Sequence, residues 1–168
     1  MSEQIIAAQA SDRAAFTEPS TIVRVYEAAF GLKPDAEGWA FWVDALSSDE
    51  GPSVWNLAQS VVASETFLTR FSNHQTRSDF IETLYEKILN RSPDDAGELF
   101  WNKSHYSNSE LLYLFSESTE FKAITRDAVT NFFLDISISG KDDPTGSDQD
   151  DYSGSIFSLD FDLPLILL

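Results

Sequence analysis

Val25-Tyr26-Glu27-Ala28-Ala29-Phe30-Gly31-Leu32-Lys33-Pro34-Asp35-Ala36-Glu37-Gly38-Trp39-Ala40-Phe41-Trp42 returns 59 positions later, without a gap, as Leu84-Tyr85-Glu86-Lys87-Ile88-Leu89-Asn90-Arg91-Ser92-Pro93-Asp94-Asp95-Ala96-Gly97-Glu98-Leu99-Phe100-Trp101. The shared skeleton is Tyr-Glu, Pro-Asp, Gly and Phe-Trp. A second echo follows, in which Ser64-Glu65-Thr66-Phe67 answers Ser118-Thr119-Glu120-Phe121 at an offset of 54, so the second unit is five residues shorter between its landmarks. Repetition at this period implies one supersecondary unit used twice.

The periodicity around these stretches is helical. Ile22, Val25, Tyr26, Ala29 and Phe30 recur at spacings of three and four, as do Phe80, Ile81, Leu84, Tyr85, Ile88 and Leu89, which places each set on one stripe of a helix. Each helix stops at a short polar break before Pro34 or Pro93, and a proline suits the first position of the helix that follows. Ser92 then stands at the N-cap of the second unit and Lys33 at that of the first, with Asp35, Glu37, Asp94 and Asp95 placing negative charge in the first turns. Thr76-Arg77-Ser78-Asp79 and Ser107-Asn108-Ser109-Glu110 read as capping boxes. A third helix per unit is predicted around Val54 to Val62 and Leu111 to Phe115, and a fourth from near Ser64 or Ser118. Ile5, Ile6, Ala8 and Phe16 suit a short leading helix ending before Pro19.

Helical patterning ends at about residue 135. Asp135-Ile136-Ser137-Ile138-Ser139-Gly140 alternates like a strand, Lys141 to Asp151 reads as a solvated linker, and the chain closes on Phe157-Ser158-Leu159-Asp160-Phe161-Asp162-Leu163-Pro164-Leu165-Ile166-Leu167-Leu168. From Asp135 onward eight Asp and one Lys give a net charge of −7 in 34 residues. The expected fold class is mainly α: two tandem repeats of about four helices each, with an acidic, partly extended C-terminal tail. The expected divisions are a helical lead at 1–19, repeats at 20–75 and 76–134, and linker and tail at 135–168.

Composition narrows the function. The 168 residues suit one domain or one duplicated domain with its own core. With no cysteine, disulfides, thiolate metal sites and a thiol nucleophile are excluded. A net charge of −17 repels phosphate backbones and anionic headgroups, so neither nucleic acid nor a membrane surface is expected as a partner. The start, Met1-Ser2-Glu3-Gln4-Ile5-Ile6, does not read as a cleaved secretory signal, and no apolar run approaches the roughly 20 residues of a membrane span. No phosphate loop, nucleophile elbow or cleft-forming α/β pattern is visible, so no enzyme activity, catalytic residue or cofactor is expected.

The skeleton Tyr-Glu-x4-Gly-x2-Pro-Asp-x2-Gly-x2-Phe-Trp, followed by Ser-x-x-Phe, resembles the bacterial domain of unknown function 4214, a helical module similar to the phycobilisome linker domain. The resemblance covers about residues 21 to 72 and 79 to 122. It implies exported surface proteins, S-layer proteins and large adhesins as the setting, often with calcium-binding nonapeptide repeats and an uncleaved C-terminal type I secretion signal. This chain has no Gly-Gly-x-Gly-x-Asp repeat, and Asn90 stands where the first copy has Gly31. The tail is similar to type I secretion signals, poor in bases and acidic before an apolar end.

Two kinds of candidate residue follow. Asp35, Asp94, Asp95, Asp148 and Asp150 are the acids that calcium would use, but calcium wants six to eight oxygens and the linker lacks EF-hand spacing, so caps and solvated charge are preferred. His74 and His105 lack any catalytic or metal-binding pattern. Trp42 and Trp101, beside Phe41 and Phe100, are expected in the core of both units. Trp39, matched by Glu98, and Trp55 are candidates for a docking surface, as are Phe161, Leu165, Ile166, Leu167 and Leu168 in the tail. The expected function is a non-enzymatic exported surface or matrix protein. Its repeats would mediate attachment to a protein or cell-surface component, or self-association, and an ABC-type exporter would read its tail. The alternative is a cytoplasmic adaptor whose tethered tail docks on a partner or its own core.

Overall fold

A computed structural model describes residues 19–48, 51–72 and 76–139. Eight helices lie among them: α1 (Ser20–Phe30), α2 (Ala36–Ser47), α3 (Val54–Ala63), α4 (Glu65–Arg70), α5 (Arg77–Ile88), α6 (Asp95–Lys103), α7 (Asn108–Ser116) and α8 (Thr119–Ser139). The protein is mainly α, as its periodicity dictates. The expected leading helix, His74, and the linker and tail beyond Ser139 lie outside the described residues.

The helix boundaries follow from short-range chemistry. Thr76 and Ser107 accept from the backbone N–H of Asp79 and Glu110, whose carboxylates accept in return from the cap N–H groups, so both capping boxes close. Ser64 and Ser118 accept from Phe67 N and Phe121 N, which starts α4 and α8 where the Ser-x-x-Phe echo placed them. A further box, Ser53 with Asn56, opens α3. Helix α1 ends on Gly31, at φ 69°, and the matching residue after α5 is Asn90, at φ 53°. Asparagine is among the side chains that best tolerate this left-handed region, which explains the exchange between the copies.

Two local expectations are corrected. Neither Lys33 nor Ser92 caps a helix, and neither proline is its first residue. The N-caps are Asp35 and Asp94, one position after the prolines, because a carboxylate there reaches the N–H three residues on: Gly38 N donates to Asp35 Oδ1 at 2.6 Å and Gly97 N to Asp94 Oδ1 at 2.8 Å. The alternation from Asp135 is not a strand. Helix α8 continues through it to Ser139, with Val129, Phe132, Phe133 and Ile136 at helical spacing and the Ser137 hydroxyl donating to Phe133 O at 2.7 Å. Two alternating isoleucines cannot override a helix already propagating from Thr119.

One apolar cluster runs through both halves of the sequence, rather than one per half. Ile22, Val25, Leu57, Val61, Phe67, Phe71, Phe80, Leu84, Leu111, Leu112 and Phe115 all belong to it. Helix α7 packs against both α3 and α1, and α5 against α1, α6 and α7. Arg24 on α1 locks this arrangement. Nearly inaccessible, it donates from Nε and Nη2 to the two oxygens of Glu117 at 2.7 and 2.9 Å, and also to Ser20 Oγ and Thr21 Oγ1. A buried guanidinium is tolerated only when paired in this way. Among the described residues, every buried side-chain nitrogen or oxygen has a partner.

Candidate interaction surface

The repeated skeleton resolves into a latch built twice. In the second unit, Trp101 Nε1 donates to the Tyr85 hydroxyl at 3.2 Å, and that hydroxyl lies where a Cβ on Gly97 would be only 2.6 Å away. Tyrosine, tryptophan and glycine are therefore one device: the tyrosine of α5 fits under the first turn of α6 because Gly97 has no side chain, and the Asp94 cap holds that turn. The first unit repeats the plan more loosely, with Trp42 and Tyr26 both buried, the Tyr26 hydroxyl 3.9 Å from where a Cβ on Gly38 would stand, and Asp35 capping the turn that contains Gly38. Burial pushes the Tyr26 phenol up from its ordinary pKa, the Trp42 hydrogen bond opposes this, and the nearby Asp35 charge adds to it.

The Phe of each Phe-Trp pair is not part of the latch. Phe41 is 54% and Phe100 46% exposed, each meeting the edge of its neighbouring Trp at centroid distances of 5.4 and 4.9 Å. Adjacent residues on a helix point about 100° apart, so a Trp aimed inward turns the preceding Phe outward. Trp42 is 6% exposed, as expected, but Trp101 is only half-buried, resting against Phe115 and Tyr106.

Around Phe100 the exposed apolar area is continuous. Ala96, Leu99, Phe100 and Lys103 fall at spacings of three and four on one face of α6, and Leu99 is 55% exposed. With Tyr106 and Glu110 they line an open groove of about 660 Å³. Its far wall is the loop from Ser104 to Tyr106, pinned by Arg77, which donates to Trp101 O, Ser104 Oγ and Tyr106 O at 3.1, 2.8 and 2.8 Å. Sequence reading missed this role of Arg77; its only visible signal was a base inside the Thr76 capping box. It missed the Leu99 and Phe100 stripe because a Phe-Trp dipeptide gives no sign of which ring faces the core.

The other sequence candidates are placed differently. Trp39 is half-buried between the edges of Phe132 and Phe133, at 5.9 and 5.7 Å, and its Nε1 donates to Pro19 O at 3.4 Å. Trp55 leans on Tyr113 at 4.6 Å. The two tryptophans thus pack against different aromatic neighbours, Trp39 against α8 and Trp55 against α7. Asp35 and Asp94 are engaged as caps, and Asp95 is an exposed acid in the first turn of α6. The described residues contain no group of three potential metal ligands. Asp148, Asp150, Phe161, Leu165, Ile166, Leu167 and Leu168 lie outside the described residues.

The second latch and the groove lie in a stretch that is similar to a known family model. Residues 58–125 match the domain of unknown function DUF4214. The matched segment runs from within α3 into the first third of α8, so it takes in all of the second Pro-Asp-x-x-Gly copy and the end of the first unit. No curated protein and no solved structure matches the chain. The matched stretch includes every residue named for the α6 groove. Among the described residues no helix is long and apolar enough to cross a membrane.

Proposed function

We propose that the helices form a non-enzymatic attachment module of an exported surface or matrix protein, docking through the α6 stripe of Leu99 and Phe100 and through Phe41. The observation that carries this reading is the exposure of the skeleton's Phe at both sites. Tyrosine, aspartate, glycine and tryptophan are each used within the fold; the two phenylalanines are not, and an exposed aromatic edged by charge is the composition of a docking point. The partner is a protein or cell-surface component, including a second copy of the chain. Calcium and other cofactors have no part in this docking. Residues 157–168, acidic and then apolar, act as a type I secretion-like signal read by an ABC-type exporter.

The test uses full-length protein carrying both Phe41→Ser and Phe100→Ser. Because these rings are exposed, helicity and melting temperature stay close to wild type, while retention on the envelope of the native host and self-association in sedimentation are lost. Unchanged retention and self-association would overturn the reading. Export is tested separately by deleting residues 157–168, which traps the protein in the cytoplasm. Unaltered location together with a lower melting temperature would favour the cytoplasmic adaptor instead.

A further inference from the structure

The α6 groove is unusual for so acidic a chain, because its rim carries Lys103 and His105 against the single carboxylate of Glu110. Lys103 is exposed and has no ion pair among the described residues. Several other bases are occupied: Arg24 and Lys122 by Glu117, Arg91 by Glu120, and Arg77 by backbone carbonyls. An apolar floor with an unspent positive charge suits an apolar segment flanked by acids.

The chain supplies such a segment. Its last 29 residues follow Ser139 and finish in Asp160-Phe161-Asp162-Leu163-Pro164-Leu165-Ile166-Leu167-Leu168. We propose that Phe161–Leu168 dock on the Ala96–Leu99–Phe100 stripe with Asp160 and Asp162 beside Lys103 and His105, so that the protein covers its own attachment face. The inference rests on the α6 stripe being that face and adds what occupies it first.

Reach and strength both permit the contact. Asp160 lies 21 residues beyond Ser139, a length of chain that can span up to about 70 Å, enough for any face of a domain this size. A tether of that kind sets an effective concentration on the order of millimolar, so a contact with Kd of about 1 mM is already half formed. At the groove the charge of Asp160 and Asp162 is answered by Lys103 at its rim.

The absence of cysteine makes the test clean. A nitroxide on Ser158→Cys in the otherwise intact chain should erase the amide signals of Leu99, Phe100 and Lys103 in nuclear magnetic resonance spectra and leave those of α3 intact. Adding Lys103→Glu, or Leu99→Ser, both at exposed positions, should restore them. Signals unaffected at α6, or erased on another face, would overturn the proposal. So would erasure in a mixture of labelled and isotope-enriched chains, which would mean that the tail reaches a second copy. The measurement needs neither host nor exporter. If the Phe41→Ser, Phe100→Ser protein attaches normally while the label erases the α6 signals of the chain with both phenylalanines intact, the attachment reading falls and the docking stands; an attachment defect without that erasure has the opposite meaning.

Discussion

The two latches share an inner chemistry and differ on the outside. Inside, Tyr26 and Tyr85 are equally inaccessible, Asp35 and Asp94 cap the same turn, and a glycine sits over each tyrosine. Outside, the residues 59 positions apart diverge. The stripe Ala96, Leu99, Phe100, Lys103 on α6 is matched on α2 by Glu37, Ala40, Phe41, Asp44, all exposed. Only α6 offers a continuous apolar face with a free base. Trp39 is clasped by Phe132 and Phe133, whereas Glu98 at the matching position accepts from Ser78 Oγ at 2.6 Å. Leu32 is bare, whereas Arg91 stacks over Tyr85 and pairs with Glu120 at 2.7 Å. This exposed pair holds the Glu120 carboxyl below and the Arg91 guanidinium above their ordinary pKa values through their mutual hydrogen bond. Packing geometry restricts the inner positions to a few residue types, while the outer positions answer only to solvent and neighbours, so the copies drift apart there.

The comparison can be broken most forcefully at the tryptophans. Trp42→Ala empties a buried site and should cost about 3–5 kcal/mol in chemical denaturation. Trp101→Ala removes a half-exposed ring and should cost at least about 1 kcal/mol less, since less area leaves water when it folds. Equal losses would show that the second latch is as buried as the first.

The glycines sharpen it next. Gly97→Ala drives a methyl into the Tyr85 hydroxyl and should cost about 1–3 kcal/mol through overpacking, with part of the loss recovered in the Gly97→Ala, Tyr85→Phe double variant. Gly38→Ala meets only its own cap carboxylate at 3.1 Å, with Tyr26 at 3.9 Å. The helix propensity gained, about 0.5–1 kcal/mol, should leave it near neutral. A Gly38→Ala protein destabilised as much as Gly97→Ala would mean the two turns are equally tight.

The smallest effect lies at Glu27. Desolvation raises its pKa, against the pull of Lys33 and Arg70. A carboxyl raised in the folded state weighs least on stability below the ordinary glutamate value of about 4.3, and its cost grows as pH climbs through the raised value. Glu27→Gln should therefore melt slightly higher than wild type at pH 7, with the gap closing towards pH 4. Glu86→Gln, at the exposed matching position, is the control. A gap that widened on acidification would reverse the sign.

Much of the fold was legible because helices announce themselves locally. Spacings of three and four, Thr76 with Asp79, Ser107 with Glu110, and Ser64 and Ser118 before their phenylalanines are chemistry among near neighbours in the chain. Errors arose where two local signals competed. Prolines beside Asp35 and Asp94 drew the caps two residues early, and alternating isoleucines imitated a strand at the end of a helix.

By itself the sequence determined the helical class, the repeated skeleton and most of the helix starts, since each depends on residues within a few positions of one another. Tertiary structure alone decided that the two halves share one core, that Arg24 pairs with Glu117 across 93 positions, and that Phe41 and Phe100 face water. The reason is physical. A period of 3.6 tells which residues share a face, but whether that face is covered depends on helices brought from far along the chain, and burial is settled by that contact and not by hydrophobicity.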